Sequence, residues 1–187
     1  ISYVGELGWE IYIPTEKSKE IYELIVSLEN KFELVHAGAH AMDIMRMEKG
    51  YLHWGHDISP AENPYEARLE FALKLNKKED FIGKQYLIKN KNKLKKKLVM
   101  FTLNDSTPGN PLLLHDEPIY YNGKIVGETT SGNYSFYYKQ NITFGYIDSS
   151  INLDSLNSFF EIEVAKTKYK LNLLKAPLHD KDNLFMK

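Results

Sequence analysis

The sequence predicts an α+β protein, a helix-containing N-terminal part followed by a small antiparallel β-barrel or sandwich, and three observations carry that expectation. Apolar residues Ile21, Leu24, Ile25 and Leu28 repeat at the i, i+3, i+4, i+7 spacing of one helix face. Beyond Lys97 the chain breaks into short apolar segments, "KLVMFTL", "EPIYY", "KIVGETT", "YSFYY", "ITFGYI", "FEIEV" and "YKLNLL". Asn122-Gly123 joins the second of these to the third, and both residue types accept the positive φ that a two-residue hairpin turn demands. Many short strands at this spacing bury their inner faces by closing on themselves or stacking in two layers.

Each element follows in order. In "VGELGWEIYIP" the alternation of Trp9, Ile11 and Ile13 with Glu10 and Tyr12 predicts a strand, with the carboxylate and the phenol on the face the apolar residues do not use. Pro14 and Thr15 then open the first helix, with Thr15 as its N-cap, and its stripe should pack on the Trp9 face. A second helix runs from about Gly38 to Lys49 and stops at Gly50, the residue type suited to a left-handed C-cap. "YLHWGHDISPAENP" is irregular, "EARLEFALKLN" alternates at Leu69, Phe71, Leu73 and Leu75 like a half-buried strand, and "EDFIGKQYLIKN" reads as a short helix. The lysines from Lys89 to Lys97 mark an exposed seam before the strand-rich part.

Composition narrows the function classes. Twenty-four basic residues against 25 acidic ones leave a net charge of -1, so no global field draws nucleic acid or an anionic membrane. With no cysteine, disulfides, thiolate metal sites and cysteine nucleophiles are excluded. No apolar run reaches the roughly 20 residues of a bilayer span. The chain opens at Ile1 in the middle of an expected strand, which reads as the C-terminal piece of something longer.

Few motifs carry chemistry. His53, His56 and Asp57 in "HWGHD" have the donor types of a metal site, but the weightier reading is a loop in which the histidines bond to backbone and Trp54 anchors the packing. Asp43 and Arg46 stand i, i+3 on one helix, enough for a local ion pair. Glu10 is of another kind. A carboxylate amid aromatic residues can accept paired hydrogen bonds from the donor edge of a flat heterocycle, with Tyr3 and Tyr12 offering stacking or a hydroxyl; a plain surface glutamate fits the pattern as well.

The segments "YVGELGWEIYIP", "AMDIMRMEKGYLHWGHDIS", "ENPYEARLEFALKLNKKEDFIGKQYL" and "EPIYYNGKIVGETTSGNYSF" together resemble the glycine-cleavage T-protein (aminomethyltransferase) superfamily, most closely the C-terminal folate-binding half of its dimethylglycine and sarcosine dehydrogenase branch. The resemblance implies that residues 1–94 are the C-terminal part of a folate-binding domain and residues 95–187 a C-terminal antiparallel β-barrel. It implies tetrahydrofolate as cofactor, an N-methylated glycine as small-molecule substrate, and an upstream flavin domain holding FAD. The one-carbon unit would pass to the folate to give 5,10-methylenetetrahydrofolate. Through the family's G-E-x-G-x-E strand, here Gly5, Glu6, Gly8 and Glu10, the resemblance makes Glu10 the pterin ligand and Tyr3 a folate contact, with Tyr12 beside them. Met42 stands where aminomethyltransferases carry a folate-contacting arginine, and Arg46 and Glu48 match an architectural helix motif. The family's catalytic aspartate lies upstream of this portion, so no catalytic residue is expected in this chain, and no metal ligand, nucleic-acid partner or membrane partner. The expected compartment is the cytoplasm, with the mitochondrial matrix as the alternative. A stand-alone aminomethyltransferase or folate-dependent demethylase and a non-catalytic folate-binding module are the competing readings.

Overall fold

A computed structural model describes residues 2–154, 159–177, 179–180 and 182–186. Helices come first: α1 (Ser18–Val26), α2 (Glu29–Phe32), α3 (Ala39–Glu48) and α4 (Lys84–Asn90). Six strands follow, β1 (Lys96–Leu103), β2 (Pro118–Tyr121), β3 (Lys124–Ser135), β4 (Gln140–Asp148), β5 (Phe160–Val164) and β6 (Thr167–Leu174). They form a closed antiparallel barrel in the order β1-β4-β3-β2-β5-β6, sealed where β6 pairs back on β1.

The barrel accounts for most of the buried apolar surface. Along β1, Val99, Phe101 and Leu103 turn inward with Ile119, Ile147, Phe160, Ile162 and Leu171, while Leu98 and Met100 turn outward. Those outward residues, with Ile142, Phe144 and Tyr146 of β4, take up Ile44 and Met47 of α3. A strand buried on both faces needs apolar residues at successive positions, which is why β1 and β4 read as near-continuous hydrophobic runs. Gly127 and Gly145 face the crowded β3–β4 seam, where a Cβ on Gly127 would meet the Tyr146 carbonyl oxygen at 1.8 Å.

Several sequence expectations hold in detail. Asn122 (φ 49°) and Gly123 (φ 80°) make the β2–β3 turn with both φ positive. Gly50 (φ 77°) ends α3, with its N–H donating to the Met47 carbonyl at 2.9 Å and the Tyr51 N–H to the Arg46 carbonyl at 2.8 Å, the paired bonds of a Schellman cap.

Others are corrected. Residues 8–14 pair with no strand among the described residues, and Trp9 is 91% exposed and Ile11 65%. A strand is held by cross-strand bonds, and alternation without a partner leaves the backbone irregular. Accordingly α1 does not pack on Trp9; it buries no residue, and Leu24 and Leu28 face outward. Thr15 opens a 3₁₀ turn, Thr15–Lys17, instead of capping α1, and its carbonyl accepts the Ser18 hydroxyl. The alternation at 69–75 gives a 3₁₀ turn at Glu70–Ala72, with Phe71 75% exposed. "YSFYY" is no separate strand: its first residues complete β3, which crosses a bulge between Thr129 and Ser131 and runs on to Ser135.

The lysine seam is also more structured than an exposed connection. Lys96 pairs with Glu62 at 2.6 Å and lies over the Tyr146 ring at 4.5 Å. The Lys95 N–H donates to Glu66 Oε1 at 3.1 Å, and Lys97 Nζ reaches the Ser149 and Ile151 carbonyls.

Candidate functional site

Helix α3 is the platform. Arg46, 1% exposed, spends its donors on Asp43, the Tyr51 carbonyl, Asp57 and Ser131, and its guanidinium lies 5.6 Å from the centre of the Phe144 ring. Two residues on, Glu48 accepts the Ser135 hydroxyl at 2.5 Å. Ser131 and Ser135 are four residues apart on β3, so α3 is fixed to the barrel at two points on one strand. The local Asp43–Arg46 pair read from the sequence exists, and it is the smaller part of what Arg46 does.

Asp57 completes this buried network. Besides Arg46, it accepts the His53 N–H at 2.8 Å and the Thr130 hydroxyl at 2.6 Å. Its carboxylate is thereby consumed in holding the "HWGHD" loop against β3. Trp54, expected to anchor that loop, is 66% exposed. Among the described residues no group of three or more His, Asp or Glu side chains could hold a metal ion. No helix among them is long and apolar enough to cross a membrane.

In front of α3 lies a cleft of about 340 Å³, lined by Tyr3, Met42, Asp43, His53, His56 and His115, among others. This volume is at the lower end of small-molecule sites. The Tyr3 ring stands edge-on to His53 at 6.3 Å, and its hydroxyl is buried without a hydrogen-bond partner. Burial raises the Tyr3 phenol above its usual value, with the Arg46 charge working against the rise, so the hydroxyl is a neutral donor at ordinary pH. An orphaned buried donor costs free energy unless something accepts from it.

Glu10 and Tyr12 lie elsewhere on the same segment. The Tyr12 hydroxyl donates to Glu10 Oε2 at 2.6 Å, and both side chains are exposed. That bond and the charge of Glu10 hold the Tyr12 phenol above its usual value. The structure thus joins Glu10 to Tyr12 and puts Tyr3 in the cleft, but neither Glu10 nor Tyr12 lines it. A larger apolar hollow of about 430 Å³, bordered by Tyr51, Leu52, Phe71 and Pro177, contains none of the three.

Sequence reasoning missed the C-terminal segment altogether. Lys49, the residue after α3, is buried and turns its ammonium to the Asp180 carbonyl (2.7 Å), Asp180 Oδ2 (3.1 Å) and Asn183 Oδ1 (2.9 Å). Burial alone would raise the Asp180 carboxyl, but the Leu184 and Phe185 N–H groups and Lys49 outweigh it and hold the group below its usual value. "HDKDNLFM" has no periodicity and no motif to signal this role.

Comparison with known proteins fits the architecture. Residues 1–77 match the family described as the GCVT N-terminal domain, and residues 96–180 the glycine cleavage T-protein C-terminal barrel domain. Human mitochondrial dimethylglycine dehydrogenase is 40% identical over 182 residues, which are 95% of this chain and 20% of that protein. Human mitochondrial sarcosine dehydrogenase is 36% identical over 148 residues, 79% of this chain and 16% of that protein. The chain therefore spans a fifth or less of the length of these two enzymes. A crystal structure of the glycine cleavage system aminomethyltransferase T from Bartonella henselae superposes with a TM-score of 0.78 at 23% identity, over 94% of this chain and 47% of that one, a likeness of fold. With one family match on either side of the lysine-rich seam, and the barrel beneath the second, this chain belongs to the glycine-cleavage T-protein family.

Proposed function

We propose that this chain is the tetrahydrofolate-binding C-terminal portion of an FAD-dependent dimethylglycine or sarcosine dehydrogenase, in which the one-carbon unit of an N-methylated glycine passes to the folate. The observation that carries the reading is the 40% identity to dimethylglycine dehydrogenase along 95% of the chain. The division into a folate-domain part, 1–94, and a barrel, 95–187, belongs to the same proposal, as does a mitochondrial matrix location, suggested by the compartment in both relatives' names.

The donor set suits a flat polar heterocycle. Glu10 offers a carboxylate of which one oxygen is bound by Tyr12 and the other meets no protein donor among the described residues. Tyr3 offers an unpaired hydroxyl and an aromatic edge. Tetrahydrofolate, when bound, supplies the nitrogen nucleophiles that accept the one-carbon unit. What these residues contribute is orientation: Glu10 accepts from the ring's donor edge, Tyr12 steadies Glu10, and Tyr3 donates from the cleft wall. Fixing a reactant in place lowers the barrier by removing its orientational freedom, and needs no general base from this chain. The flavin is assigned to the remainder of the protein.

In the natural full-length protein, Glu10→Ala should weaken tetrahydrofolate binding by about 10- to 100-fold, the scale of a lost hydrogen-bonded charge, and leave amine oxidation nearly unchanged. Titration calorimetry with tetrahydrofolate reads the first and flavin reduction by the amine the second. Equal folate affinity in the variant overturns the assignment of Glu10.

A further inference from the structure

Between Tyr3 and Glu10 three consecutive residues meet partners from the C-terminal segment and the end of α3, Gly5 by packing, Glu6 through its side chain and Leu7 through its backbone. Gly5 (φ 77°) sits directly on the Lys49 stem, where a Cβ would meet Lys49 Cγ at 2.0 Å. Glu6 Oε1 lies 3.2 Å from His179 Nε2, and the His179 ring is packed edge-on against Tyr137 at 4.6 Å and stacked with Phe185 at 5.8 Å. The Leu7 N–H donates to the Phe185 carbonyl at 2.8 Å.

The far end is itself anchored. Lys49 and Asp180 form an ion pair with side chains 4% and 2% exposed, and the ammonium has an acceptor for each of its three donors. Asp180 in turn accepts the Leu184 N–H at 2.6 Å and the Phe185 N–H at 3.3 Å, which shapes the terminal 3₁₀ turn Leu184–Met186. A buried charge whose partner is removed is strongly penalised, so this pair fixes the segment in one arrangement.

We infer that Lys49 and Asp180 are positioning residues: the C-terminal segment forms a clasp that seats Gly5–Leu7, and through them sets Tyr3 and Glu10 for the folate. The line of support is continuous. Strand β3 fixes α3 through Arg46 and Glu48, α3 delivers Lys49, Lys49 captures Asp180, and the captured segment holds Leu7. Neither Lys49 nor Asp180 need touch the ligand. The inference rests on the folate reading above, and the experiment separates the two.

Lys49→Met keeps the apolar stem against Gly5 and removes the ammonium; Asp180→Asn keeps the shape and removes the charge. In the full-length protein, amide exchange is followed at Leu7 and, as a control, along β4. The expected result in either variant is Leu7 exchange faster by about tenfold, β4 protection unchanged, and tetrahydrofolate affinity about tenfold weaker. Should Lys49→Met not fold, as loss of β4 protection would reveal, Asp180→Asn carries the same test. Unchanged exchange at Leu7 overturns the clasp. Faster exchange with unchanged affinity, while Glu10→Ala still binds weakly, overturns the positioning role and spares the folate reading. Unchanged affinity in Glu10→Ala overturns the role of Glu10 alone, and the folate reading itself falls if the parent protein binds no tetrahydrofolate, whatever Leu7 does.

Discussion

The barrel and the segment from Leu7 to Ala37 draw on the same residue types and end in opposite states. In β1, Val99, Phe101 and Leu103 are at most 2% exposed, whereas Leu7, Trp9, Ile11 and Phe32 are all above 60%. Local pattern is strong in both. The difference is the partner: each barrel strand has two hydrogen-bonded neighbours, and residues 8–14 of the first segment pair with no strand among the described residues. Helix α1 shows the limit of local pattern, since its stripe forms a helix without burying anything. Helices close their backbone bonds within themselves and strands cannot, which is why α1 persists where the strand expected around Glu10 does not.

That contrast can be broken or sharpened by substitution. Phe101→Ala, at a side chain with no exposure, should cost about 3–5 kcal/mol in urea unfolding of the chain. A cost below about 1 kcal/mol would mean that the barrel interior is not the source of stability. Gly50→Ala comes next, at about 1–3 kcal/mol, because the position needs a left-handed φ and a Cβ would stand 2.2 Å from Pro177 Cγ. A neutral result would show that α3 does not need this cap.

A smaller effect is tied to pH. Burial alone would raise the Glu62 carboxyl, but hydrogen bonds from Lys96 and Ser59 outweigh it and hold the group below its usual value. The unfolded chain therefore takes up this proton at a higher pH than the folded one, and the stabilisation, full above the ordinary carboxylate range, is lost as pH falls through the lowered value. Urea midpoints measured from about pH 7 down to about pH 3 should fall less steeply in Glu62→Gln than in the parent chain. Parallel curves would remove Glu62 from the account. The smallest change expected is at the other pole of the comparison: Trp9→Ala, at a side chain 91% exposed, should shift the unfolding free energy of this chain by less than about 0.5 kcal/mol.

Legibility in the sequence follows the same divide. Asn122-Gly123 and Gly50 were readable because a turn's demand for positive φ is met by residues at the turn itself. The barrel was readable from its runs of alternating and continuous apolar residues, though not the fusion of "KIVGETT" with the next segment, since a bulge has no period. Arg46 looked like half of a local pair, because Ser131 lies far along the chain and its approach follows from closing the barrel. At the candidate site, Glu10, Tyr3 and Tyr12 were picked out by residue type and resemblance, but the Tyr3 cleft depends on His115 and on the "HWGHD" loop folding over α3. Such meetings are made by topology, which spacing does not record.

The hydrogen bond from Leu7 to the Phe185 carbonyl joins opposite ends of the sequence and so has a place in time as well as in space. The entropy of closing so large a loop grows only as the logarithm of its length, so the contact is affordable once the barrel has shortened the path between its ends. During synthesis His179, Asp180 and Phe185 emerge after every strand of the barrel, and until they do Glu6 and Leu7 lack their partners. Residues 5–7 are thus made before the barrel strands and are among the last of the described residues to take their final form.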